Sequence, residues 1–141
     1  MRIPPALVLA LSLAACETPE AAQSAKAREC QSFFLLAREE ALKAKAPPSA
    51  FPTTEEPVMQ QRAERYRAYA SALEAIPLKD EELKRRVGEY IAHVRGSAEL
   101  FEKADASNLR EAIDEARKRD AEGQKMTAAI NTYCGAKPAA P

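Results

Sequence analysis

Apolar residues recur at three- and four-residue steps in four stretches of this 141-residue chain, and this spacing constrains its fold more than any other feature. Such steps place apolar residues on one face of an α-helix, whereas a half-buried β-strand needs strict alternation. The sequence therefore predicts four amphipathic helices and no strands. Their apolar faces include Phe33, Phe34 and Ala37; Met59, Ala63, Tyr66, Ala70 and Leu73; Leu83, Val87, Ile91, Val94 and Phe101; and Leu109, Ala112, Ala116, Met126 and Ile130.

Residues that end or begin helices separate the four stretches. Proline cannot continue a helix, because its ring clashes with the preceding turn and it lacks an N–H group. Asn108 followed by Glu111 is typical of a capping box, and glycine is favoured just after a helix end. The boundary residues are Pro47 and Pro48, Thr54 with Pro57, Pro77, Asp80, Asn108 with Glu111, and Gly135.

Four helices joined by short connections predict an all-α fold, an antiparallel up-down-up-down four-helix bundle. We expect the bundle to span residues 23–135 and to end in a disordered tail, residues 136–141. Gly88 and Gly96 lie inside the third stretch, where they are expected to allow close helix approach or a local bend.

The first sixteen residues follow a different pattern. Arg2 supplies positive charge, a short apolar segment follows, and small residues precede a cysteine in the run Leu13-Ala14-Ala15-Cys16. This run resembles the lipobox of bacterial lipoproteins, which lies at the cleavage site of their signal peptide. The apolar segment is too short for a transmembrane helix of about 20 residues. Ordinary secretory cleavage, with Cys16 incidental, is the alternative.

The resemblance implies that residues 1–15 are a lipoprotein signal peptide and that an acylated Cys16 binds membrane lipid. Residues 16–22 would then form a tether, and the protein would work in the cell envelope. An acidic residue at position 17 resembles an inner-membrane retention signal, but the best-known signal is Asp and this chain has Glu17. We expect attachment to the outer membrane, facing the periplasm.

Assigning Cys16 to lipid leaves Cys30 and Cys134 as a pair in an exported, oxidising compartment. We therefore expect one disulfide that staples the bundle, with two free buried thiols as the alternative. The predicted topology agrees, because the beginning of the first helix and the end of the last would lie at the same end of the bundle.

Charge and catalytic side chains limit the possible functions. The chain has 21 basic and 21 acidic residues, interleaved along each helix, so we expect no nucleic-acid partner. It has one histidine and no Gly-rich phosphate loop, so we expect no catalytic residues and no enzyme activity.

Binding residues are correspondingly few. Glu89 and His93 share a helix face but make only half of a metal site, and Met59 or Met126 with His93 is a weak match to haem ligation. We therefore predict no metal and no cofactor. Asp120 and Gly123 interrupt the apolar face of the fourth helix; Asp120 is expected at the rim, with pairing to an arginine or tyrosine in the bundle as the alternative.

Phe51, in the Pro-rich connection between the first two helices, could cap the bundle or contact a partner. These features favour a membrane-tethered, non-enzymatic helical lipoprotein that acts through protein–protein or envelope contacts, with an envelope protein as the expected partner. The alternative is a carrier of a small ligand or of a haem or metal cofactor in the bundle core.

Overall fold

A computed structural model describes residues 19–45 and 55–135 as four helices. They are α1 (Pro19–Lys45), α2 (Glu55–Glu74), α3 (Glu81–Glu102) and α4 (Leu109–Tyr133). No strand occurs in these two ranges, so the all-α prediction is confirmed for them. The helix α1 begins inside the segment predicted as a tether, residues 16–22.

The helix ends show which boundary residues act as predicted. Asp80 caps α3, where its side chain accepts a hydrogen bond of 2.8 Å from the Leu83 N–H. Gly135 follows α4 with φ of 78°, the left-handed conformation that glycine adopts most easily.

The capping box predicted at Asn108 is wrong. Asn108 is at the N-cap of α4, but its side chain makes no capping hydrogen bond. Its amide instead closes the preceding turn, because Oδ1 accepts from the Asp105 N–H and Nδ2 donates to the Lys103 carbonyl. The turn competes for the side chain that would otherwise cap the helix.

Cross-helix pairs show how neighbouring helices align. Arg67 and Glu74 of α2 pair with Glu102 and Arg95 of α3, so residues further along α2 contact residues earlier in α3. The carbonyl of Arg119 in α4 accepts a hydrogen bond from His93 in α3. These contacts are those expected between helices of a bundle, while the up-down-up-down order of the whole stays a prediction.

Two apolar clusters form the core. The larger contains the disulfide and side chains from all four helices, with Phe33, Leu83 and Ile130 almost completely buried. The smaller contains Met59 and Phe101 and joins α2, α3 and α4. Complete burial of a leucine or phenylalanine side chain contributes about 1.5–3 kcal/mol, so these side chains supply much of the folding free energy.

The predicted disulfide between Cys30 and Cys134 is present, with 5.9 Å between the Cα atoms, and it joins α1 to the end of α4. Tyr133 donates its hydroxyl to Asp80 at 2.8 Å beside this bond, and the ammonium group of Lys26 lies 3.6 Å from the centre of the Tyr133 ring. These contacts hold the beginning of α1, the beginning of α3 and the end of α4 together. None of the described helices has both the length and the apolar character needed to cross a membrane.

Candidate functional site

A cleft of about 640 Å³ lies within the bundle, and side chains from all four helices line it. Its lining residues on α2 and α3 are buried or half-buried, whereas α1 and α4 each contribute exposed ones, among them Arg38 and Gln124. The cleft therefore opens to solvent between α1 and α4.

The cleft exists because α4 presents no large apolar side chain to it. Ala116, Asp120, Gly123, Thr127 and Asn131 follow one another at three- or four-residue steps along the wall that α4 forms. Small or polar side chains at these positions leave space that leucine or phenylalanine would fill. The interruption of the apolar face at Asp120 and Gly123, visible in the sequence, is part of this wall.

Aromatic side chains form the inner surface of the cleft. The ring centroids of Phe33 and Tyr90 are 6.1 Å apart, those of Tyr69 and Tyr90 are 6.2 Å apart, and the Tyr66 ring lies 5.5 Å from that of Phe101. The first two pairs meet edge to face, the arrangement that aromatic quadrupoles favour. We call these five rings the aromatic floor.

Burial raises the pKa of Tyr66, Tyr69 and Tyr90. The carboxylate of Asp120 raises the pKa of Tyr66 and Tyr90 further, because it disfavours a second negative charge nearby. All three hydroxyls are therefore neutral at physiological pH and can donate hydrogen bonds.

A clasp between α3 and α4 holds one wall of the cleft in place. The Arg119 side chain donates Nη2 to the His93 carbonyl at 2.7 Å and Nε to the Ser97 hydroxyl at 3.1 Å. In return, the His93 Nε2 lies 2.8 Å from the Arg119 carbonyl oxygen, a contact in which the ring nitrogen donates. We call these three residues the α3–α4 clasp.

Two glycines make room for the clasp. A Cβ atom at Gly96 would collide with the Arg119 guanidinium, and one at Gly123 would lie 3.3 Å from the His93 Nε2. Close approach at Gly96 was expected from the sequence. Close approach is absent at Gly88, which is exposed and has no atom of a neighbouring element within 4 Å of an added Cβ; a local bend there, the alternative, stays a prediction.

The candidate metal and haem residues have separate surroundings. Glu89 is exposed and pairs with Arg85 at 2.5 Å, whereas His93 belongs to the clasp. Met59 is buried in the smaller core cluster, and neither it nor Met126 lines the cleft that His93 lines. Across residues 19–45 and 55–135, no three His, Cys, Asp or Glu side chains are grouped to hold a metal ion.

Charged side chains surround the mouth of the cleft. Asp120 is exposed, as expected, and the Arg65 Nε pairs with the Glu40 Oε1 at 2.6 Å.

Cys16 and Phe51, the predicted lipidation and contact residues, lie outside the described residues. The sequence patterns did not single out Arg38, Arg119 or Thr127, because only the packing of four helices brings them to one cleft.

No family model, curated protein sequence or solved structure matches this chain.

Proposed function

We propose that this protein is a lipid-anchored, non-enzymatic binding protein of the bacterial cell envelope that holds a small ligand in the cleft between α1 and α4. The observation that carries the proposal is the cleft itself, lined by all four helices. Its volume of about 640 Å³ falls within the range of about 300–1,000 Å³ that is usual for small-molecule sites.

The lining also suits a ligand. Sites of this class combine apolar and aromatic surface with a few polar groups that orient the bound molecule. Here the aromatic floor supplies the apolar and aromatic surface. The polar groups on the α4 wall are those of Gln124, Thr127 and Asn131.

A neutral dye tests whether the cleft binds ligands. N-phenyl-1-naphthylamine fluoresces in apolar surroundings, and it can be titrated into the mature chain, residues 16–141 with Cys16→Ser, without detergent. We expect saturable binding at one site per chain. Thr127→Phe should fill the cleft and abolish this binding.

Thr132→Phe is the matched control, because Thr132 is an exposed residue of the same helix outside the cleft lining. It should bind the dye as the parent does. Absent or non-saturable binding, or equal binding by the two variants, would contradict the proposed ligand site.

Anchoring rests on the lipobox. A diacylated or triacylated Cys16 would give stable membrane attachment, because two acyl chains bind far more firmly than one. With α1 beginning at Pro19, the bundle would be held close to the outer membrane, facing the periplasm. Metabolic labelling with an alkyne fatty acid should label the parent chain and not Cys16→Ala; equal labelling of both would exclude lipidation at this residue.

A second candidate function is contact with a helix of another envelope protein through the outer face of α1. Leu35 and Leu42 are seven residues apart on this face, and each is 59% exposed, so both leave apolar surface in water that a partner could cover. Leu35 also borders a groove of about 320 Å³ beside the disulfide.

Photo-crosslinking in living cells tests this contact. A photoreactive residue at position 35 should give a discrete adduct, whereas one at the exposed Lys118 of α4 should give none. Loss of the adduct in a Leu42→Gln background would assign it to this face. The absence of an adduct at position 35 would remove this candidate.

A further inference from the structure

The charges that line the cleft do not cancel. Three arginines and two carboxylates line it, and the Arg65–Glu40 pair neutralises one of each. Arg38, Arg119 and Asp120 remain, which leaves a net charge of +1 from these residues. A cleft with an excess of one sign concentrates ligands of the opposite sign.

Arg119 keeps a fixed positive charge on the cleft wall. Its acceptors in the α3–α4 clasp, the His93 carbonyl and the Ser97 hydroxyl, are both neutral. The guanidinium is half-buried and pairs with no carboxylate among the described residues. Its charge is therefore oriented by hydrogen bonds without being neutralised.

Arg38 supplies the accessible charge. It is exposed and lies on α1 at the mouth of the cleft, and its side chain makes no hydrogen bond or ion pair with another described residue. Its guanidinium can therefore approach an acidic group at the mouth without first breaking a contact. Guanidinium groups bind carboxylates and sulfonates through paired N–H donors.

We propose that the cleft takes a small aromatic acid, whose ring system lies on the aromatic floor and whose anionic group pairs with Arg38 at the mouth. The proposal rests on the proposed function and adds the class of ligand. The rings of Phe33, Tyr69 and Tyr90 supply the apolar contact, and the polar side chains of the α4 wall supply hydrogen-bonding groups.

Two dyes that differ in one acidic group test the proposal. 8-Anilinonaphthalene-1-sulfonate has the ring system of N-phenyl-1-naphthylamine with a sulfonate added. The mature chain, residues 16–141 with Cys16→Ser, should bind the sulfonated dye more tightly than the neutral one. Added salt should reduce this preference, because the Arg38 guanidinium is exposed and screened.

Charge variants should move the preference in opposite directions. Arg38→Gln should weaken binding of the sulfonated dye about fivefold, the upper range for one exposed ion pair, and leave the neutral dye unchanged. Asp120→Asn removes a negative charge from the mouth and should strengthen binding of the sulfonated dye. Arg28→Gln, an exposed arginine of α1 outside the cleft lining, is the matched control and should change neither.

The outcomes separate this inference from the proposed function. Two outcomes would contradict the proposed aromatic acid while leaving the proposed ligand site in place. One is saturable binding of both dyes with equal affinity, and the other is a preference that Arg38→Gln and Asp120→Asn leave unchanged. Failure of both dyes to bind saturably would overturn both. Circular dichroism of each variant confirms that the helices are retained.

Discussion

At the residue scale, the helical glycines of α3 differ in what surrounds them, and this difference can be measured. Gly88 is exposed with open space around an added Cβ, whereas a Cβ at Gly96 would collide with Arg119. Gly88→Ala should stabilise the protein by about 0.5–1 kcal/mol, because alanine restricts the unfolded chain more than glycine does.

Gly96→Ala should lose that gain, because Arg119 must leave the His93 carbonyl and the Ser97 hydroxyl. Urea unfolding followed by circular dichroism measures both variants. Equal stabilisation by the two would mean that the α3–α4 clasp adds nothing to stability.

Asp80 is the second residue whose contribution can be measured. Its carboxylate accepts from the Leu83 N–H and the Tyr133 hydroxyl, and both contacts lower its pKa, the Leu83 N–H most. Asp80→Ala should cost about 1–2 kcal/mol, the usual effect of losing an N-cap. Asp80→Asn should cost much less, because asparagine also caps helices. Equal losses in urea unfolding would show that the charge, and not the cap, is what matters.

At the element scale, α1 depends on the disulfide more than the other helices do. The loops joining α2 to α3 and α3 to α4 are short, whereas Cys30 and Cys134 join α1 to α4 across 104 residues. Replacing both cysteines by serine should lower the free energy of unfolding by about 2–4 kcal/mol, because the unfolded chain regains its freedom.

The loss should be concentrated in α1. Hydrogen exchange at its amides should accelerate more than exchange in α2 and α3, because α1 would separate from the bundle first. Equal acceleration in all four helices would contradict this dependence. Since α1 also forms one wall of the cleft, dye binding should weaken in the same variant.

At the scale of the whole molecule, the buried tyrosines make stability depend on alkaline pH. Burial raises the pKa of Tyr66, Tyr69 and Tyr90, so the folded state favours the protonated phenols. The stability that this provides is complete below about pH 10, the usual tyrosine pKa, and is lost as the pH rises toward the folded-state values.

The urea midpoint should therefore fall as the pH is raised from 9 to 11. Tyr69→Phe should flatten this fall, because it keeps the ring and removes the group with the largest upward shift. An unchanged slope in Tyr69→Phe would show that other groups cause the alkaline loss. Tyrosine absorbance, recorded in parallel, reports the ionisation directly.

The helices and most of their ends could be predicted from the order of the residues alone. The spacing of Leu83, Val87, Ile91 and Val94 predicts α3 because such steps can place every apolar side chain on one buried face. Local rules were less reliable where a side chain had two partners within reach, as at Asn108, whose amide bonds the preceding turn instead of capping α4.

The position of the cleft and the side chains that line it depend on how the four helices pack. The sequence showed that Asp120 and Gly123 interrupt an apolar face, but it did not show that Arg38, Tyr69 and Arg119, on three different helices, share the space beside them. Periodicity describes each helix about its own axis. The cleft depends on how far apart the helices pack and how they are rotated against one another, and the volumes of facing side chains set both.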